Sequence, residues 1–390
     1  MKKVHFDGTH RVRRPEDTWA LIDGLRAAFG VTRVADVTGL DSLGVPVALA
    51  VRPAARTLTV SPGTGTSPLL ARVSAVMESV ELWHAEYACP VPGAVRTPAC
   101  ELGLPYDVRD LRQHAGSLLS ERTPLDWVAA ADVASGAATW VPQPYVGVDH
   151  QVSDSWQPPL LHASTNGLAS GNSYSEAVTH ALYEVIERDC TASIGSAPAS
   201  TGRRVDPATV DDPVCDAVLS GITRAGAGIE IVEVPNRWGL PCFVAYTWSK
   251  DFPAPAVGSG VHGSPAVALS RAVTGSAQSR LAAITGSLGV RAAVPFTARG
   301  AARAPFPAEG VASWQEVSGS SFEFTEDTEE MRWLADGVRE LTGCPPVVVD
   351  LSTESEFSVV KVVATGLACD GRDGLPGPAA ARRHTAEETP

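Results

Sequence analysis

The feature that most constrains this chain is a pair of matched acidic stretches, residues 74–82 and 180–188. Each stretch carries two glutamates three positions apart, set among apolar residues. Aligned on each other, the stretches superimpose Ala75 on Ala181, Met77 on Tyr183, Glu78 on Glu184 and Glu81 on Glu187. Because residues three apart share one face of an α-helix, each pair is predicted to point in a single direction.

Four carboxylates that converge form a site for hard divalent cations, and Mg²⁺ prefers a few carboxylates together with water and substrate phosphates. This interpretation requires two distant helices to pack side by side with their acidic faces together. Glu176 lies on the same broad stripe as Glu184 and Glu187, since the offsets of eight and eleven residues correspond to about 80° and 20° around a helix. The alternative is a solvated acidic face on each helix.

The overall charge limits the classes of partner. Lysine and arginine total 31 against 44 aspartate and glutamate residues, a formal net charge of −13. A nucleic-acid groove needs a basic footprint and anionic membranes attract basic segments, so neither partner is expected. No apolar run reaches the roughly 18 residues of a spanning helix, and the N-terminus lacks the apolar region of a signal peptide. The sequence predicts a cytoplasmic protein.

The seven cysteines are scattered and include no Cys-x-x-Cys pair. This pattern does not indicate a zinc site or a redox motif. Reduced structural thiols are expected, because an odd number of cysteines also fits badly with a disulfide framework.

Periodicity and turn residues predict a mixture of helices and strands. The predicted helices are residues 16–29, 68–87, 174–193, 266–285 and 328–342. The predicted extended segments are residues 58–61, a hairpin over 127–141, and 229–234, 242–248, 347–350 and 357–364. We expect a turn at 62–65 and a loop over 163–172. The fold class is therefore α/β of the α+β kind, in one domain over 1–370 with a polar, disordered tail over 371–390.

Several polar residues near these helices are candidate ligands for an anion. The loop over 163–172 is rich in small residues and leads into the second long helix, where a helix N-terminus favours anions. Gln278 and Arg280 lie on the predicted helix over 266–285, and the guanidinium of an arginine can pair with phosphate. The catalytic base is unknown from the sequence; His84, His180 and His262 all lie near the motifs, and His180 is the best candidate because it shares a helix with the glutamates.

Three motifs resemble the YcaO family. Residues 167–189 resemble its long signature, residues 74–81 its first glutamate motif and residues 270–281 its third motif, and the resemblance spans about 55–367. It implies a YcaO-type fold, with mixed sheets and long Glu-x-x-Glu helices around an ATP and Mg²⁺ site. The implied metal ligands are Glu78, Glu81, Glu184 and Glu187. The implied nucleotide-binding residues are Asn172, Glu176, Arg188, Gln278 and Arg280.

The resemblance also implies an activity. YcaO enzymes use ATP to phosphorylate the oxygen of a peptide backbone amide, in the maturation of ribosomally synthesised peptide natural products. The product is an azoline, a macroamidine or a thioamide according to the nucleophile. The expected partner is a precursor peptide, with a TfuA-like or leader-binding protein as a further partner and a homodimer left open. The chain is most similar to the stand-alone or TfuA-associated branch.

Some positions depart from the family pattern. Gly63-Thr64-Gly65 stands where Gly-Lys-Gly is usual, Gly275 replaces a glutamate, and Leu288-Gly289-Val290 replaces Arg-Asp-Asp. Two alternatives to the enzyme remain, of which these changes favour the first and count against the second. One is a degenerate, non-catalytic scaffold that binds peptide, and the other is an accessory factor in ribosomal-protein methylthiolation.

Overall fold

The fold is known from a computed structural model, which describes residues 1–6, 8–149, 159–192, 202–252, 255–287 and 308–368. Its strands are, in chain order, β1 Val4–Phe6, β2 Thr9–Arg11, β3 Arg33–Asp36, β4 Val47–Val51, β5 Val60–Thr64, β6 Ala94–Pro98, β7 Pro124–Asp132, β8 Ala138–Pro142, β9 Leu168–Gly171, β10 Gly202–Val205, β11 Gly228–Glu233, β12 Cys242–Trp248, β13 Ala256–Val261, β14 Ala308–Ala312, β15 Val347–Asp350 and β16 Ser358–Val363. Its helices are α1 Pro15–Leu25, α2 Pro68–Tyr87, α3 Gln143–Val146, α4 Tyr174–Thr191, α5 Pro213–Arg224, α6 Pro265–Thr285, α7 Trp314–Val317 and α8 Asp327–Thr342.

The described strands form three sheets and one small hairpin. Strands β3, β4 and β5 form an antiparallel sheet, and a larger sheet has the order β6-β7-β15-β16-β9 with β8 paired to β7. The third sheet has the order β13-β12-β11-β10-β14, in which only the β10–β14 pair is parallel. Strands β1 and β2 pair as a hairpin. This mixture of sheets and long helices confirms the predicted fold class.

Local sequence explains where the two acidic helices begin. Ser67 accepts a hydrogen bond from the amide of Leu70 and precedes Pro68, the first residue of α2. Ser173 caps α4 in the same way, by accepting from the amide of Glu176. A serine cap satisfies an amide that has no partner inside the helix, and proline at the first position already has a helical φ.

Each acidic helix lies almost directly on the backbone of the strand before it. A Cβ built on Gly63 of β5 would come within 2.0 Å of the Ala75 amide nitrogen on α2. A Cβ on Gly171 of β9 would come within 2.4 Å of the Ala177 amide nitrogen on α4. Only glycine permits this approach, so the strand–helix distance is fixed by backbone contact.

Most predicted elements are present. Helix α2 has the predicted bounds, α4 and α6 differ from prediction by one or two residues, and the predicted hairpin corresponds to β7 and β8. Two predictions were wrong. Residues 62–64 belong to β5 rather than to a turn, because they pair with β4, and the expected loop over 163–172 contains β9, which pairs with β16.

Other elements were not predicted, notably the N-terminal hairpin, α5 and β13. The tail over 371–390 and Leu288-Gly289-Val290 lie outside the described residues, and the division into one domain and a tail stays a prediction. The six cysteines within the described part of the chain are free thiols. A search of the described residues found no helix with the length and hydropathy needed to cross a membrane.

Candidate functional site

A cavity of about 410 Å³ lies between α2, α4 and α6, with the β1–β2 hairpin along one side. One wall is acidic and consists of four carboxylates that come from two helices, namely Glu78, Glu81, Glu184 and Glu187. The structure therefore brings together the four glutamates that the matched stretches single out. We refer to these four residues as the acidic wall.

Neighbouring groups orient the carboxylates of the acidic wall. Glu81 accepts hydrogen bonds from the backbone amide of Ser170 (2.8 Å) and from its hydroxyl (2.5 Å). Glu187 accepts from the hydroxyl of Ser259 (2.5 Å). Glu184 lies 3.7 Å from the guanidinium of Arg188, one helical turn further along α4. Strands β9 and β13 thus supply hydroxyl donors to the wall from opposite sides.

Burial and crowding disfavour the ionised forms of the carboxylates in the acidic wall. Desolvation raises the pKa of Glu184 to about 7, with Glu78 and Glu187 adding to the rise and Arg188 opposing it. Desolvation, then the charge of Glu78, raises the pKa of Glu81 well above its ordinary value. The pKa of Glu78 is also raised by desolvation. Bound cations would relieve this repulsion.

The acidic wall is not a closed metal cage. Within the part of the chain that the structure describes, no group of three His, Cys, Asp or Glu side chains is placed to hold a metal ion by itself. This agrees with what Mg²⁺ needs at phosphate sites, where one or two carboxylates are completed by water and substrate phosphates. The donor set suits metal ions that arrive with a phosphorylated ligand.

Asn172 and Glu176 form a second polar corner of the cavity at the start of α4. Glu176 accepts hydrogen bonds from the backbone amide and side-chain amide of Asn172 (3.1 and 3.0 Å). Its other carboxylate oxygen accepts from the backbone amide of Val12 at 2.6 Å, and Asn172 accepts from the hydroxyl of Thr18 at 2.8 Å. These bonds join the N-terminal segment to α4 and fix both side chains.

The structure separates two residues of α6 that the sequence analysis grouped together. Gln278 lines the cavity, whereas Arg280 does not. The guanidinium of Arg280 instead donates to Asp41 (2.8 Å), and both side chains are almost fully buried. Residues two apart on a helix point about 200° apart, so Gln278 and Arg280 cannot face one cavity.

Arg271 takes the place expected for Arg280. It precedes Gln278 by seven positions, or about two turns, and lines the cavity. No hydrogen bond or ion pair joins its side chain to any other described residue. Desolvation, with the nearby charge of Arg11, lowers the pKa of Arg271 to about 10. Helical spacing from Gln278 was the signal that would have identified it.

Arg11 and Arg13 are further cavity residues that the sequence analysis missed. Arg11 ends β2, and its Nε lies 3.9 Å from Glu176 Oε1. Arg13 donates to the backbone carbonyl of Glu356 at 3.0 Å. No motif marked this segment, and only its long-range contact with α4 brings it to the site.

Two positions that depart from the family pattern, Thr64 and Gly275, also lie at this cavity. Thr64 lines it, but its hydroxyl donates to the backbone carbonyl of Pro46 (3.0 Å). Gly275 lines it as well and adds no charge. Of the three histidines named as candidate bases, His180 alone lines this cavity, where it is half-buried. His84 is buried elsewhere, bonded to Val80 and Thr353.

Two sequence relatives are similar over most of the chain. An uncharacterized protein of Mycobacterium tuberculosis is 42% identical over 287 residues, which is 73% of this chain and 64% of that protein. The chain therefore spans less than two thirds of the length of this relative. An uncharacterized protein in the tfuA 3′ region of Rhizobium leguminosarum bv. trifolii is 36% identical over 293 residues, covering 71% of this chain and 68% of that protein.

Two solved structures have the same fold. YcaO from Methanopyrus kandleri, bound with AMPPCP and Mg²⁺, aligns with a TM-score of 0.70 and 23% identity over 94% of this chain and 95% of that one. A heterocyclase in complex with substrate and cofactor aligns with a TM-score of 0.69 and 16% identity, over 94% of this chain and 54% of that one. At these identities, the likeness concerns the fold alone.

A family model described as YcaO cyclodehydratase, ATP- and Mg²⁺-binding, matches residues 62–368. This range contains α2, α4 and α6 and all four glutamates of the acidic wall. It begins after the N-terminal hairpin, which completes the cavity from outside the matched range. The chain belongs to the YcaO family, whose cofactors are ATP and Mg²⁺.

Proposed function

We propose that this protein is an ATP- and Mg²⁺-dependent enzyme that activates a backbone amide of a ribosomally made precursor peptide by phosphorylating the amide oxygen. The observation that carries the proposal is the cavity itself, which is lined by the acidic wall and by Arg271, whose guanidinium has no ion-pair partner among the described residues. The family description and the fold of the solved relatives support the same chemistry.

The residues present fit ATP and Mg²⁺. Desolvation is the main reason that the pKa values of Glu78, Glu81 and Glu184 are raised, and bound divalent cations would stabilise the ionised carboxylates. When bound, the nucleotide would supply the phosphoryl group and the metal ions would neutralise charge on the phosphates. In this assignment Glu78, Glu81, Glu184 and Glu187 hold Mg²⁺.

The nucleotide assignment draws on the rest of the cavity. Phosphate oxygens would be held by Arg188 and Arg271, since a guanidinium binds phosphate with paired N–H donors. Asn172, Glu176 and Gln278 remain in the proposed nucleotide site, whereas Arg280 is left out because Asp41 already binds its guanidinium. Catalysis by this arrangement would be mainly positioning and charge stabilisation.

The amide chemistry explains why ATP is needed. An amide oxygen is a very poor leaving group, and phosphorylation allows it to leave as phosphate after a nucleophile has added to the carbon. Apolar residues at the cavity, including Leu21, Met77 and Phe357, suit a ligand that is not uniformly charged. Azoline formation and macroamidine formation are the leading outcomes, and thioamidation is the third. The relative in a tfuA region supports a TfuA-like partner.

A non-catalytic scaffold is the second candidate function. It is favoured by Thr64, whose hydroxyl is bound to the carbonyl of Pro46 in the position where the family usually has lysine. A scaffold would bind peptide without turning over ATP. The accessory role in ribosomal-protein methylthiolation has no comparable observation in its favour.

Calorimetry with AMPPCP and Mg²⁺, followed by peptide-dependent ADP release, separates the enzyme from the scaffold. The enzyme predicts saturable AMPPCP binding that Mg²⁺ strengthens in the parent, and a loss of this strengthening by Mg²⁺ in Glu184→Ala/Glu187→Ala. Glu340→Ala is the matched control, because Glu340 is an exposed glutamate on α8. Full ADP release by the double variant would end the metal assignment, and no AMPPCP binding by the parent would favour the scaffold. The mass of the product peptide then distinguishes water loss from oxygen-to-sulfur exchange.

A further inference from the structure

A second, smaller chamber lies behind the main cavity and has a volume of about 20 Å³. His180 lines both spaces, so its imidazole ring forms part of the wall between them. By this measure a water molecule needs roughly 10–15 Å³. The chamber therefore fits a single water and excludes a larger ligand.

Most polar groups around the chamber already have partners within the fold. The hydroxyl of Tyr183 donates to Glu330 at 2.7 Å, and Lys3 donates to the other oxygen of the same carboxylate. Glu176 accepts from the backbone amide of Val12. Neither carboxylate needs a ligand in the chamber.

Two neighbouring residues of α4 have buried polar atoms at the chamber that lack such partners. Thr179 Oγ1 and His180 Nδ1 are both buried and have no hydrogen-bond partner among the described residues, and both residues line the chamber. The side chain of Thr179 is more than nine-tenths buried, since the residue is only 8% exposed. Unpaired buried polar atoms are costly, and buried water commonly satisfies them.

We propose that the chamber holds one water between Thr179 and His180, and that His180, oriented by this water, accepts the proton of the nucleophile that attacks the amide. The inference rests on the proposed function. An N–H at Nδ1 that donates into the chamber leaves the lone pair of Nε2 for the main cavity, because the hydrogen bond at one ring nitrogen selects the tautomer. Thr179 is then a positioning residue.

The surroundings of His180 keep its ring neutral before reaction. Desolvation, followed by the charges of Arg271 and Arg11, lowers the pKa of His180 well below its usual value. A neutral imidazole is the form that can take up a proton. Phosphate groups bound to the same arginines would offset their charge, which couples nucleotide binding to the basicity of His180.

The proposed reaction consists of addition to the amide carbon, phosphorylation of the oxygen and loss of phosphate. The nucleophile, a thiol, hydroxyl, amine or hydrosulfide, forms a bond to the amide carbon while the carbonyl π pair moves to oxygen and the proton of the nucleophile passes to Nε2. The oxygen then takes the γ-phosphoryl group of ATP, and the bond to ADP breaks. When the carbon–oxygen bond breaks, the phosphate leaves with the bonding pair and takes the proton back from His180. The lone pair of the amide nitrogen forms a new C=N bond and its N–H proton is released to solvent; with hydrosulfide, the lone pair of the added sulfur forms C=S and the amide N–H is kept.

A substitution series tests the two roles by ADP release with the precursor peptide. We expect His180→Gln to lower kcat by about 100-fold or more, as general-base removal does, with AMPPCP affinity unchanged. Thr179→Val should lower kcat by about tenfold at unchanged KM for ATP, and Thr179→Ser should restore most of that loss. Thr247→Val is the matched control, because Thr247 is also fully buried with an unpaired hydroxyl but does not line the chamber.

Nitrogen NMR of the full chain labelled in histidine tests the water without any peptide. We expect His180, assigned by its loss in His180→Gln, to be a single Nδ1–H tautomer whose resonances shift in Thr179→Val and not in Thr247→Val. A tautomer mixture that Thr179→Val leaves unchanged would overturn the water site. A kcat of His180→Gln within threefold of the parent would overturn the role of His180, whereas absence of AMPPCP binding in the parent would instead overturn the proposed function.

Discussion

The two acidic helices differ in how the fold compensates their carboxylates. On α4, Arg188 lies 3.7 Å from Glu184, and Arg188 and Lys361 both lower the pKa of that carboxyl. On α2, no cation among the described residues lies within ion-pair distance of Glu78 or Glu81. Glu81 depends instead on the neutral donors of Ser170.

This difference indicates separate tasks for two pairs that look alike in sequence. The pair on α4 has cations beside it, so that region can also attract phosphate directly. Among the described residues, the pair on α2 has no cation within ion-pair distance, and only the more distant charge of Arg188 lowers the pKa of Glu78. We therefore expect that pair to depend more strongly on bound metal. Similar spacing of glutamates therefore does not imply similar electrostatics, because the neighbours come from other parts of the fold.

The largest expected effect comes from neutralising each pair in turn. Glu78→Gln/Glu81→Gln and Glu184→Gln/Glu187→Gln should each lower ADP release by about 100-fold or more, the loss typical of removing groups that stabilise transition-state charge. Only the α4 variant should bind AMPPCP about tenfold more tightly without Mg²⁺, because Arg188 and Lys361 lose their anionic neighbours. Calorimetry in EDTA measures the affinity for AMPPCP without metal. Equal affinities of the two double variants would contradict the proposed difference between α2 and α4.

An intermediate effect is expected in the pH dependence of stability without metal. The pKa of Glu184 is about 7 in the folded protein and about 4.3 when unfolded. Between these values the folded state holds the extra proton, so the contribution of Glu184 to stability falls as pH rises. The melting temperature of Glu184→Gln relative to the parent should therefore rise from pH 5 to 7 and level off above pH 8.

Two further variants sharpen the pH measurement. For Glu81→Gln, the rise in melting temperature relative to the parent should continue to higher pH, because the pKa of Glu81 is raised well above its usual value. Glu340→Gln, on the exposed face of α8, should show no such trend. If the melting temperature of Glu184→Gln relative to the parent does not change with pH, the Glu184 carboxyl is not protonated in the metal-free fold.

The smallest effect is expected from the serine donors. Ser170→Ala removes the hydroxyl bond to Glu81 but leaves the backbone amide bond in place. A typical hydrogen bond contributes about 0.5–1.5 kcal/mol net, so with the backbone amide bond retained ADP release should fall by roughly tenfold at most. Ser259→Ala, which removes the donor to Glu187, should cost less, since α4 retains its cations. Steady-state kinetics at limiting Mg²⁺ would show the order, and the reverse order would contradict it.

The sequence predicted local features more reliably than long-range ones. The bounds of α2 were predicted from its apolar periodicity, and the structure adds a first proline and a serine cap, which also lie within the helix or next to it. The sequence also identified the four glutamates, because spacing along a helix decides which side chains share a face. It did not identify β5 and β9 as strands, since a strand with small or turn-forming residues is fixed by its partner.

The cationic side of the cavity shows the same limit. Arg271 could have been found, because it lies about two helical turns from Gln278, and the choice of Arg280 neglected that geometry. Arg11 could not have been found from any local pattern. It reaches the cavity only because the N-terminal hairpin packs against α4, a contact between segments more than 160 residues apart.

The glycines beneath α2 and α4 have a consequence for how this protein can change over time. Backbone contact at Gly63 and Gly171, rather than packing of large side chains, sets the spacing between strand and helix. Substitutions at apolar cavity residues such as Leu21, Met77 and Phe357 can then alter which ligands fit while the carboxylates of the acidic wall keep their positions. Selection can therefore change which ligand the cavity recognises without changing the positions of the acidic side chains.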